Sequence, residues 1–231
     1  MKSQILSVVL AICVVVGIVL FVNRSQPASD PSDIVDTLVD AGIEFSRSQT
    51  DTDLLKYRKL VIATDINAVT AKNIINGLLL LDAIDSTAPI DLYIRTEGGW
   101  VSDAFAIIDV IESIGAPVNT YAIGGTYSSG AMILAAGTGI RYGYPDSSIM
   151  FHAGLYHDGS EYSGDKVDNH RLNQFWKEHA HVPQEWLKTK TEKTFFLGPD
   201  EALKFGLIDQ IRTNGKGTNS SDNEGAGNEH R

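Results

Sequence analysis

Four short apolar runs alternate with three stretches of helical spacing between Lys59 and His152. The runs are KLVIAT from Lys59, IDLYIR from Ile90, VNTYAI from Val118 and SSIMFH from Ser147. The helical stretches are VTAKNIINGLLLLDAI, SDAFAIIDVIESIG and SSGAMILAAG, the second opened by Ser102 and stopped by Gly115. Strand, helix and strand in repeated succession predict an α/β fold with parallel pairing and helical crossovers. Strands that are almost wholly apolar predict a sheet covered on both faces. In such sheets, functional groups gather at the carboxyl ends of the strands.

The flanks of this core read differently. Ile5 to Val22 is a run of 18 residues without charge or proline, the lower bound for a helix spanning a bilayer. The apolar core of a cleaved signal peptide is shorter, about 7–15 residues. Lipidation at Cys13 fits poorly, because bulky Ile12 precedes it and the apolar run continues past it. Residues 1–24 are therefore expected to be a single-pass transmembrane anchor, with the soluble part outside the cytoplasm. Residues 25–32 read as a linker, 33–212 as the folded domain and 213–231 as a disordered tail, which has almost no apolar residue to offset ordering entropy. Cys13 is the one cysteine, so no disulfide forms within the chain. The net charge of −10, with no basic cluster, excludes a nucleic-acid surface.

Three strand ends carry residues with chemical potential. IDLYIR runs into TEGGW, VNTYAI into GGTYSSG, and SSIMFH ends on His152. Each has an ordinary alternative. Gly98-Gly99 is either a plain turn or a backbone bared for its N–H groups. Ser128 is either a helix N-cap or a nucleophile. His152 alone is either structural or a base. Together they fit one chemistry: a seryl nucleophile needs a base within reach, and backbone donors where the oxyanion develops.

The blocks LYIRTEGGWVSDAFAIIDVI, YAIGGTYSSGAMILAAGT, YPDSSIMFH and TFFLGPDEALKFGLIDQI occur in this order. They resemble successive blocks of the proteolytic subunit of the Clp protease, a member of the Clp/crotonase superfamily, over about Lys59 to Ile211. The resemblance implies a fold of repeated ββα/βα units with a parallel sheet and a helical handle. It implies Ser128 as nucleophile, His152 as general base, and the N–H groups of Gly99 and Ser129 as the oxyanion hole. Ser129 stands where the family usually has Met. The backbone at Gly98 and Trp100 is implied to pair with a peptide or protein substrate strand. The family's third triad residue is Asp; here Thr194 takes its place, with Glu192 and Asp200 as nearby acids. The handle segment, His157 to His181, is shorter than in the family, whose handle joins two rings. A homo-oligomer and a separate ATPase partner are implied. No Walker loop is present in the sequence, and His179 and His181 fall on different helix faces, so no cofactor or metal is expected.

Three functions compete on these residues. A membrane-anchored serine peptidase uses the whole constellation. A catalytically weakened scaffold or adaptor would explain Thr194. An acyl-CoA enzyme of the crotonase type shares the oxyanion architecture but has no need of a seryl nucleophile. A fluorophosphonate probe separates the first from the others.

Overall fold

In a computed structural model of the chain, residues 49–152, 166–183 and 194–212 are described. Helix α1 (Gln49–Lys56) leads into strand β1 (Lys59–Ile62), and helix α2 (Ala68–Ile84) into β2 (Ile90–Thr96). Helix α3 (Val101–Ser113), β3 (Val118–Tyr127), α4 (Ser129–Ala135), β4 (Arg141–Gly143) and β5 (Ser148–His152) follow. Then come α5 (Lys166–His179), β6 (Thr194–Leu197), α6 (Pro199–Lys204) and β7 (Gln210–Ile211). The sheet runs β1-β2-β3-β4-β7, with parallel neighbours. Strand β5 adds to β3 in parallel and accepts β6 antiparallel.

The crossovers form for local reasons. Asn67 starts α2, its Oδ1 accepting the N–H groups of Val69 and Thr70 at 2.9 and 3.1 Å, which satisfies two donors that the first helical turn leaves open. The helix buries Ala71, Ile74, Leu78 and Leu81 at helical spacing. Helix α3 buries Ala104, Ile107, Ile108 and Ile111 in the same way. These meet Ile90, Leu92 and Ile94 of β2, all fully buried, and each such side chain contributes about 1.5–3 kcal/mol. The opposite face of β2 departs from expectation. Asp91 and Tyr93 are half-buried there and Arg95 is exposed. Tyr93, Tyr121 and Tyr142 stand in register and stack with centroids 4.5 and 4.7 Å apart. Among the described residues, this row of stacked rings covers part of that face.

Strand β3 also differs from its expected limits. It does not end at Ile123 but runs on through Gly124 and Gly125 to Tyr127. Opposite β2 the register jumps from Ile94↔Ala122 to Thr96↔Thr126, so β3 carries extra residues in a bulge. Gly124 takes φ 59° there, a value that glycine adopts freely. The bulge lets β3 change partner, from β4 at Thr120–Ala122 to β5 at Gly125–Tyr127. Gly124-Gly125, which the sequence places beyond the end of VNTYAI, is therefore a bend inside the strand. Helix α3 begins at Val101, with Trp100 rather than Ser102 before it. The β5–β6 pair is antiparallel, an exception to the parallel pattern. Helix α5 lies in the segment expected to form the handle.

The anchor (1–24), the linker (25–32), the first part of the expected domain to residue 48, and the tail (213–231) lie outside the described residues. So do His157 and Glu192. Among the described residues, no helix is long and apolar enough to cross a membrane.

Candidate active site

The carboxyl ends of β2, β3 and β5 converge. Ser128 follows the last residue of β3 and precedes α4, with φ 54° and ψ −120°. A non-glycine residue in such a region costs of order 1–3 kcal/mol. Its own backbone is held at both ends. The N–H donates to the Met150 carbonyl of β5 at 2.8 Å, and its carbonyl accepts the Ala131 N–H at 3.0 Å to open α4. Its side chain makes no capping bond. The Oγ instead lies 2.8 Å from Nε2 of His152, the last residue of β5. A serine that caps with its side chain turns its oxygen to the helix N–H groups; Ser128, at the N-cap position, turns it to an imidazole.

The end of β2 brings a bared backbone beside it. Gly98 has φ 106°, and a Cβ there would come within 2.7 Å of the Ser128 Cβ. Glycine is required here by approach as well as by conformation. The buried Thr96 hydroxyl fixes this bend: it accepts the Gly98 N–H at 3.0 Å and donates to the Thr64 carbonyl at 2.8 Å. Gly99 has φ 150°, and a Cβ there would overlap the Ile66 carbonyl. Ile66 donates to the Gly98 carbonyl at 2.7 Å and accepts from the Trp100 N–H at 2.9 Å. The Trp100 carbonyl is taken by Ala104 at 3.1 Å.

The backbone groups of Gly98 and Trp100, expected to pair with a substrate strand, thus also bond within the chain. Strand alternation turns the Gly99 N–H away from Ile66, and it makes no hydrogen bond among the described residues. The same holds for the Ser129 N–H, at the first position of α4. Trp100 is 60% exposed through its side chain.

Thr194 stands directly across from His152 in the β5–β6 ladder. Side chains of such a pair share a face, with Cβ atoms about 4.5–5.5 Å apart. No hydrogen bond joins the Thr194 hydroxyl to the His152 ring among the described residues. Asp200 is exposed in the first turn of α6. His179 faces another way: Nδ1 is 2.9 Å from the Phe175 carbonyl of its own helix, and Nε2 is 2.8 Å from Glu112 Oε1, which ties α5 to α3.

Several supports were not legible as such. Gly130 is one: a Cβ there would overlap the Thr96 side chain, so glycine lets α4 rest on the end of β2. Glycine so early in a predicted helix was the available signal, since it costs about 1 kcal/mol there unless close approach requires it. Arg141 is another. It donates to the Ala135 carbonyl at the far end of α4 at 3.3 Å, and to the His179 carbonyl at 3.0 Å. It also grips both Asp209 oxygens, at 3.0 and 2.6 Å. Hydrogen bonds from the Arg141 side chain hold the Asp209 carboxyl below the ordinary carboxylate range, against partial burial that raises it.

A sequence profile described as Clp protease matches residues 44–215. The ATP-dependent Clp protease proteolytic subunit of Deinococcus radiodurans is 35% identical over 170 residues, covering 68% of this chain and 81% of that protein. The ATP-dependent Clp protease proteolytic subunit 2 of Chlamydia muridarum is 34% identical over 173 residues, covering 71% of this chain and 85% of that protein.

Proposed function

The chain belongs to the Clp protease family and is a serine-type endopeptidase; from that premise we propose that Ser128 is its nucleophile and His152 its general base. One observation carries the reading: a serine with positive φ leaves the helix cap unmade and places Oγ 2.8 Å from the His152 Nε2. Ser128 Oγ attacks the scissile carbonyl carbon while Nε2 takes its proton. The carbonyl electrons move to oxygen, and the N–H groups of Gly99 and Ser129 receive that oxyanion. On collapse, the imidazolium Nε2–H passes its proton to the leaving amine, the C–N bond breaks, and an acyl-Ser128 remains. Water then attacks by the same path in reverse, with His152 as base. Thr194 occupies the third position with a hydroxyl that can accept from the imidazole but carries no charge to stabilise imidazolium.

Labelling by a fluorophosphonate probe tests this. Wild type labels and Ser128→Ala does not. A wild-type protein that stays unlabelled across pH would favour the second reading, a weakened scaffold or adaptor, which the uncharged Thr194 supports. The relatives are named as subunits of an ATP-dependent protease, and for this chain self-association and a separate ATPase partner are part of the proposal. So is a membrane anchor at residues 1–24, with the domain outside the cytoplasm, supported by the uncharged run from Ile5 to Val22. Release of the protein by carbonate alone would rule out the anchor.

A further inference from the structure

Among the described residues, two buried side-chain oxygens make no hydrogen bond: Ser129 Oγ and Ser147 Oγ. Buried hydroxyls without a partner are rare in native proteins, and each calls for an explanation. Packing supplies none at position 129, because alanine would fill the same space without leaving a donor unmet. The two serines differ in their surroundings. Ser147 precedes the first residue of β5, at the opposite end of that strand from His152. Ser129 is 1% exposed and directly follows Ser128, and its own N–H is also without an acceptor among the described residues.

We propose that the Ser129 hydroxyl is a third donor to the oxyanion, beside the N–H groups of Ser129 and Gly99. This rests on the reading of Ser128 as nucleophile. A catalytic donor stabilises charge that exists only in the transition state, so in the resting protein it has nothing to bond. One of the staggered χ1 wells of a serine brings Oγ beside that residue's own N–H, so a single acceptor oxygen can receive both. The hydroxyl keeps its proton throughout; it forms one hydrogen bond to the oxyanion and loses it when the intermediate collapses. Methionine, usual at this place in the resembling family, has no donor to offer. The extra donor compensates for a third position that brings a hydroxyl rather than a carboxylate.

Hydrolysis of a small peptide ester by the full chain tests the proposal, with melting temperature measured alongside. Ser129→Ala is expected to lower kcat roughly tenfold to a hundredfold with KM unchanged, within or somewhat below the range for one oxyanion donor. Its melting temperature rises by about 2–4 °C, because a stranded hydroxyl has been removed. Ser129→Cys, similar in shape but a weak donor, falls between. Ser147→Ala raises the melting temperature and leaves kcat alone. Wild-type kcat in Ser129→Ala, with Ser128→Ala inactive, would overturn the proposal. So would a fall in kcat accompanied by a fall in melting temperature, which marks lost packing. Turnover surviving in Ser128→Ala would overturn the nucleophile reading itself, and this proposal with it.

Discussion

Arg58 and Ser128 have nearly the same unusual backbone, φ 55° and φ 54°, and hold it by opposite means. Arg58 secures itself. It closes the end of α1 through its N–H to the Leu55 carbonyl at 2.9 Å. Its guanidinium then reaches the carbonyls of Pro89, Leu81, Asp85 and Ala88 at 2.8–3.1 Å. That binds the exit of α2 to the start of β2, and partial burial pulls the Arg58 guanidinium below its ordinary value. Ser128 has one long-range backbone bond of its own, to Met150, and a side chain turned to His152. Its bend is imposed by others: Gly98 pressed against it, Gly130 seating α4 on Thr96, and Arg141 gripping the far end of that helix. Strain that satisfies its own side chain serves the fold. Strain held from outside, with the side chain left for another partner, marks a place where the fold serves chemistry.

The largest effect expected from this contrast is at Ser128. Ser128→Ala should cut turnover of a peptide ester by roughly 10³–10⁶-fold and leave the melting temperature within a few degrees of wild type. A large loss of stability would mean that the bend depends on the serine side chain after all, and the contrast with Arg58 would fail. Next in size is Arg58→Ala, which removes four hydrogen bonds from a charged donor to backbone carbonyls. Chemical denaturation should show a loss of about 2–4 kcal/mol, while the folded fraction labels at Ser128 as fast as wild type. Slower labelling of folded protein would show that the two strained residues are coupled through β1 and β2.

The contrast also explains what could be read in advance. The alternation of KLVIAT, IDLYIR, VNTYAI and SSIMFH with helical stretches is local information, and it predicted three strand ends that the fold brings together. Ser128 beside His152 was legible because strand order places chemistry at carboxyl ends. The bulge at Gly124 was not, because the same Gly-Gly pair serves a turn or a bend, and only pairing with two different strands decides between them. Strand β6 is four residues without alternation, and β5 gives it its identity. The use of Gly98 and Trp100 by Ile66 depends on a contact over thirty positions away in the chain. Arg58 carried no signal, since one arginine after a short helix looks like any solvated residue.

A smaller effect is expected at Thr194. Its place across from His152 puts a new carboxylate in Thr194→Asp near the imidazole without much repacking, since the two side chains are similar in size. A negative charge there favours imidazolium. Labelling and ester turnover should rise, by about tenfold, and Thr194→Val should slow them a few fold. If both variants match wild type, the group that orients His152 belongs to another element. Amide substitutions at Glu192 and Asp200 would then be the informative pair.

The smallest effect concerns the grip that holds α4 from behind. Asp209 titrates below its ordinary range because Arg141 donates to it, so the folded state keeps this carboxylate ionised at a pH where the unfolded chain protonates it. The stabilisation is therefore complete above the unfolded value, about 3.9, and is lost as pH falls through the lower folded value. Asp209 is 40% exposed, and solvent screening limits its share to about 1 kcal/mol or less. Asp209→Asn should lower the melting temperature slightly at pH 7. The gap from wild type should close as the pH is taken below 4. If Ser128 is held from outside, the same substitution also slows labelling of the folded protein slightly, because Arg141 then grips Ala135 with less support. A gap in stability that stayed constant down to pH 2 would show that the pair acts through packing rather than charge, and the far end of α4 would need another anchor.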